Sequence, residues 1–277
     1  SATSLPPQKL MERCCRTPWV SYLPPFRMAP GVYYVSGNDW VACYLIDTGA
    51  GLILIDTAMH ETCYLMLECI RSLGYDPMDI KKILLTHAHA DHIGAARTMK
   101  ELTGARVYLG ERDLFMIHER KDLICSDGYT CGDIEPDEIY LDDKPIVQGN
   151  VSVRTISTPG HTPGCTSMIF DVKEKDGRIY TCGIHGGVGL NTLSREFLEQ
   201  NGLPLSLQKE FCESLRMMDR LHVDICLPSH TNQVGIIPLI GEITDTHNPF
   251  VDESIWHELM HERLDRMEAL IRSVPLL

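Results

Sequence analysis

The chain has 277 residues, 44% of them hydrophobic and 23% charged, with 21 Gly and 16 Pro, a composition that excludes disorder, collagen and coiled coil. Asp and Glu outnumber Lys and Arg by 38 to 25, a net charge of −13; this field repels nucleic-acid phosphates and anionic membrane surfaces, and no apolar run reaches the roughly 20 residues of a bilayer span. The expectation is a soluble protein acting on a small molecule, with neither nucleic acid nor membrane as partner.

Lys9, Glu12 and Arg13 interrupt the stretch where a signal peptide would be apolar. Eleven cysteines, an odd count with no C-x-x-C pair, read as small buried hydrophobes in a reduced, cytoplasmic setting. A leader already removed would instead allow a periplasmic or secreted protein, in which Cys125 and Cys131 could pair.

Strand-like and helix-like segments alternate in two rounds. Val32 to Ser36, Val41 to Ile46 and Leu52 to Ile55 are β-branched or aromatic runs, the last two joined as a hairpin by Asp47-Thr48-Gly49-Ala50-Gly51. Tyr64, Leu67, Cys69, Ile70 and Leu73 form a helical stripe closed by Gly74. Lys82 to Leu85 is a short buried strand, followed by a histidine-rich loop and a helix carrying Ala95, Ala96, Met99 and Leu102 up to Gly104. Lys121 to Lys144 reads as a long polar loop. The second round has strands at Val151 to Ile156, Thr166 to Val172 and Arg178 to Cys182, then a helix with Leu207, Phe211, Leu215, Met218 and Leu221 on one face. A strand at Val223 to Leu227 and a final helix from about Asp252 to Arg272 complete the chain. The pattern predicts one layered α/β domain over residues 1–277.

The run Thr86-His87-Ala88-His89-Ala90-Asp91-His92 puts four metal-capable side chains in six residues, after a strand and before a helix. Residues two apart in an extended turn point the same way, so His87 and His89 can share one ion while Asp91 and His92 face a second. Imidazole and carboxylate ligands suit zinc. His161, in Thr158-Pro159-Gly160-His161-Thr162-Pro163-Gly164, and His230, in Leu227-Pro228-Ser229-His230, occupy comparable loops at strand ends. His60, His118, His222, His247, His257 and His261 lack this context; His257 and His261, at i and i+4 on the last helix without an H-E-x-x-H pattern, read as surface residues. Gly183 to Gly189 lacks a phosphate-loop pattern, and its glycines suit close backbone approach near the metals.

These motifs resemble the metallo-β-lactamase superfamily over essentially the whole chain. The resemblance implies an αββα sandwich, one zinc on His87, His89 and His161, and a second on Asp91, His92 and His230. Pro24-Pro25-Phe26-Arg27, Val32-Tyr33-Tyr34-Val35, Asp39-Trp40-Val41, His161-Thr162-Pro163-Gly164-Cys165-Thr166 and Asn248-Pro249-Phe250-Val251-Asp252 further resemble the third subclass of metallo-β-lactamases. Two departures stand out: Gly183 occupies the place of the metal-bridging Asp of many superfamily hydrolases, and His185 and its glycines stand where the subclass offers a serine to the substrate carboxylate. His185 is therefore a candidate pocket residue or extra ligand.

The implied reaction is hydrolysis of a β-lactam ring by a metal-bound hydroxide, with Asp91 orienting the nucleophile and relaying its proton. A zinc-dependent lactonase or other ester or amide hydrolase is the alternative, and a non-catalytic metal-binding module is the rival of another class. A di-iron redox centre is a further rival, opposed by the intact His89.

Overall fold

The computed structural model describes residues 5–124, 131, 133–141, 144–244 and 246–273. Cys125, and with it the pairing expected with Cys131, lies outside the described residues. The folded chain exposes 12479 Å², close to the area that size scaling assigns to a chain of this length.

Two mixed sheets are seen among the described residues. The first runs β1 (Phe26–Ala29), β2 (Val32–Tyr34), β3 (Tyr44–Asp47), β4 (Leu52–Ile55), β5 (Ile80–Leu84), β6 (Arg106–Leu109) and β7 (Glu138–Ile139) in spatial order. β1 to β4 pair antiparallel, and β4 to β7 are parallel. The second sheet has the order β12 (Ile225–Cys226), β11 (Ile179–Ile184), β10 (Thr166–Lys173), β9 (Val151–Ser157) and β8 (Ile146–Gln148). Only its β11–β12 pair is parallel.

The period-two alternation of the strands decides the layering. In β4, Ile53 and Ile55 join the core between the sheets, while Leu52 and Leu54 join the core beneath the outer helices. Both faces are covered, so the strand reads as unbroken hydrophobe. Met168, Phe170, Val172, Cys182 and Ile184 answer from the second sheet. Outside the first sheet lie α1 (Pro7–Arg16), α2 (Cys63–Ser72), the short α3 (Ala90–Ile93), α4 (Ala96–Thr103) and α5 (Leu114–His118). Beyond the second come α6 (Arg195–Gln200), α7 (Ser206–Asp219) and α9 (Glu253–Arg272), whereas Ile236 and Leu239 of the short α8 (Ile236–Leu239) join the core between the sheets. Phe211 and Leu215 of α7 pack with Trp256 and Met260 of α9 against the sheet. This is the expected αββα sandwich.

Several local expectations shift. The strand foreseen from Val41 starts at Tyr44, because Asn38 Oδ1 takes the Trp40 and Val41 amides at 2.9 Å each and Ala42 N bonds Ser229 O. Tyr64, placed on the helical stripe, is 52% exposed; the buried residues of the helix are Cys63, Leu65, Met66, Cys69 and Ile70, so of the expected stripe only Cys69 and Ile70 are fully covered. Leu102 is likewise exposed. Within the loop foreseen from Lys121 to Lys144, Glu138–Ile139 extends the first sheet.

Candidate metal centre

Strand polarity explains why the site lies where it does. β4 and β5 are parallel, and β9, β11 and β12 run in one direction, so their C-terminal ends deliver loops to one rim. Thr166 N donates to Thr86 O at 2.9 Å, joining the sheets at that rim.

His87, His89 and His161 converge there: one ligand atom from each lies within 4.8 Å of the others. His87 Nδ1 faces Gly186 O at 2.8 Å and His161 Nδ1 faces Gly189 O at 3.0 Å. A carbonyl only accepts, so each Nδ1 carries the proton and each Nε2 presents a lone pair. His89 Nδ1 stands 3.0 Å from His161 Nε2. His87 Nε2 is buried with no hydrogen-bond partner among the described residues, the mark of a buried polar atom aimed at a missing group.

Asp91, His92 and His230 form a second group: Asp91 Oδ2 lies 3.6 Å from His92 Nε2 and 3.5 Å from His230 Nε2, and the two nitrogens are 3.3 Å apart. The His87 and His92 rings are 4.1 Å apart, so the groups adjoin. The six ligands implied by the resemblance thus fall into two three-member groups, each drawing on both sheets, and the donor set fits zinc.

Burial first, then the neighbouring imidazoles, holds His87 and His161 well below the ordinary histidine pKa. Burial lowers His89 to about 4 and His230 to about 3. These four are neutral at pH 7, the ligating form. Burial would raise Asp91, but the surrounding imidazoles, His92 first, outweigh it and keep the carboxylate ionised.

Two buried carboxylates absent from the sequence reading organise the centre. Asp56, at the end of β4 and wholly buried, accepts Thr86 N and Thr86 Oγ1 at 2.8 Å each, and its Oδ2 lies 2.8 Å from His92 Nδ1. It holds this role in a left-handed conformation, φ 57°, which Asp tolerates better than most residues. Asp113, just before α5, accepts from Ala88 N (2.9 Å), Thr162 Oγ1 (2.7 Å) and Gly164 N (2.6 Å), bracing the first histidine loop against the His161 loop. Burial raises its pKa to about 6 against those bonds. An Asp closing an apolar strand was the available signal for Asp56; Asp113 left none.

The glycine reading holds at the rim. A Cβ on Gly187 would come within 2.9 Å of His161 Cδ2, and one on Gly189 within 2.7 Å of His161 Cε1. At Gly183 the direction is different: a Cβ would meet Val223 and Ile169, so a carboxylate there would enter apolar packing. His185 stands apart from both ligand groups. Its ring is 3% exposed and edge-on to Phe211, its Nδ1 accepts Gly187 N at 3.2 Å, and it does not line the cavity. Of the histidines set aside, His257 and His261 both bond Asp219 on the outer surface of α9.

The two groups open into a cavity of about 380 Å³, within the range of small-molecule sites. Trp40, whose ring lies 4.9 Å from that of His230, forms one wall. Asn191, Asn201, Asn232 and Gln233 supply amides, Gln8 and Met11 of α1 close another side, and Arg263 of α9 reaches in. No helix among the described residues is long and apolar enough to cross a membrane.

Residues 39–174 match the family model described as "Metallo-beta-lactamase superfamily". The chain is 28% identical over 246 residues to the lactamase-like protein nscB of Neosartorya fischeri, covering 87% of this chain and 62% of that protein. It is 27% identical over 165 residues to an N-acyl homoserine lactonase of a Bacillus species, covering 50% and 61%. The chain therefore spans about three fifths of the length of these curated relatives. Among solved structures it superposes on BJP-1, a subclass B3 metallo-beta-lactamase of Bradyrhizobium japonicum, with TM-score 0.82, 26% identity and coverage of 93% and 97%.

Proposed function

The chain belongs to the metallo-β-lactamase superfamily, and from that premise we propose that it is a dinuclear zinc hydrolase that opens cyclic amides of the β-lactam type. The observation that carries this reading is the pair of adjoining three-ligand groups at the mouth of one cavity. Zinc held by His87, His89 and His161 and by Asp91, His92 and His230 would lower the pKa of water from about 15.7 towards 7 and polarise a carbonyl.

The protein's own part is preorganisation. Gly186 O, Gly189 O and Asp56 fix which nitrogen of His87, His161 and His92 is free to ligate. Asp91, ionised and 15% exposed, faces the cavity, where its Oδ1 accepts a hydrogen of the attacking water. Trp40 and Met11 give the ring an apolar wall, and the amides of Asn232 and Gln233 meet polar groups of the substrate. The ligand set holds one carboxylate, Asp91, with no second one bridging the groups among the described residues, in agreement with the lactamase reading. Likeness to a lactonase over half the chain keeps lactone opening as the second reading.

Purified protein is expected to hydrolyse a chromogenic cephalosporin and a carbapenem, to lose activity in chelator and to regain it with zinc. A kcat/KM tenfold higher for an N-acyl homoserine lactone moves the substrate to lactones. Stoichiometric zinc without turnover of any lactam, lactone or ester makes the centre non-catalytic.

A further inference from the structure

Arg263 projects from α9 into the wall of the metal-site cavity, on the element furthest in sequence from the histidine motif. Among the described residues lining that cavity it carries the one permanent positive charge, in a protein of net charge −13. Its side chain is 14% exposed. Nε is buried and makes no hydrogen bond: Glu262 Oε2 is 2.9 Å away but out of line with the N–H. Glu262 is itself half in solvent and shared with Arg266 at 3.0 Å. Burial pulls the guanidinium below its ordinary pKa, and its charge helps keep His230 neutral. A largely buried cation beside a cavity, poorly neutralised by its chain neighbour, is costly unless an anion joins it. Asp122, also at the cavity, is engaged by Arg120.

We propose that Arg263 is the specificity residue that receives a carboxylate on the substrate, and that the enzyme selects ring amides bearing such a group over neutral lactones. This rests on the hydrolase reading above and names its substrate class. A planar guanidinium gives a carboxylate paired donors, the strong form of this contact.

The test compares zinc-loaded wild type with Arg263→Gln and Arg263→Lys. Kinetics use a chromogenic cephalosporin and its methyl ester; calorimetry uses mercaptoalkanoates of two to six carbons and their methyl esters, a readout free of turnover. The Gln variant is expected to raise KM for the free acid about tenfold or more at nearly constant kcat, leave the ester unmoved and lose the same factor for at least one thiol acid but not its ester. The Lys variant is expected to fall between, and it decides alone should the Gln variant fail to fold. Equal losses for acid and ester, or no loss for either, overturn the assignment. If wild type opens neither cephalosporin, the lactam reading falls and the thiol pairs still decide for or against Arg263.

Discussion

Asp56 and His92, 36 positions apart and both buried, meet carboxylate to imidazole at 2.8 Å beneath the second ligand group. That bond fixes the ring so that Nε2 faces Asp91 and His230. Carboxylate partners of ligating histidines typically contribute 10–100-fold in metal affinity. Asp56→Asn is therefore expected to weaken one of two zinc sites by about that factor, measured by competition with a chelating dye, while the site of His87, His89 and His161 keeps its affinity. Equal weakening of both sites would contradict the division of ligands.

Asp113 takes three hydrogen bonds from two loops. Asp113→Ala strands a buried amide, hydroxyl and amide, each worth about 1–3 kcal/mol when unsatisfied. The expected loss is about 3 kcal/mol or more in chemical denaturation of the metal-free protein. Asp113→Asn, which still accepts through one oxygen, is expected to lose less.

The clearance around His161 makes Gly189→Ala a sharp probe. Its Cβ would sit 2.7 Å from His161 Cε1 and 2.8 Å from Nδ1, so the ring must shift. A kcat lower by about 100-fold is expected, since a misplacement near 1 Å costs that much. Gly241→Ala, where nothing lies within 4 Å, serves as the near-neutral control.

His185 bears on acid stability. Burial lowers its pKa to about 3, below the value near 6.5 of an unfolded histidine. Its contribution to stability is therefore complete above pH 6.5 and is lost as pH falls towards 3, at about 1.4 kcal/mol per pH unit. In chelator, unfolding free energies of His185→Gln at pH 6 and pH 5 should differ by roughly 1 kcal/mol less than those of wild type. An unchanged difference would mean that His185 is charged in the fold.

The ligands were readable because their signals are local. Four of them fall in six residues, and His161 and His230 follow strands in Pro/Gly-shaped loops. Long β-branched runs and helical stripes likewise exposed the two-round architecture. What escaped is what distance in sequence creates. Asp113 acts on Ala88 and Gly164, 25 and 51 positions away, and Arg263 looks like one more charge on an amphipathic helix. The short strands β1, β6 and β8 carry too few residues to show a period. α1, amphipathic though it is, begins Pro7-Gln8-Lys9-Leu10 and drew no expectation, yet it closes the cavity.

Each trio of ligands is split between the two halves of the sandwich: the motif loop hangs from β5, whereas His161 and His230 follow β9 and β12. A cation seated in either trio would thus act as a rivet through the laminate, loaded whenever one leaf slides over the other. Trimming Met168 or Ile55, deep in the seam, should accordingly be felt as looser grip on the ions, and ion loss as easier parting of the leaves.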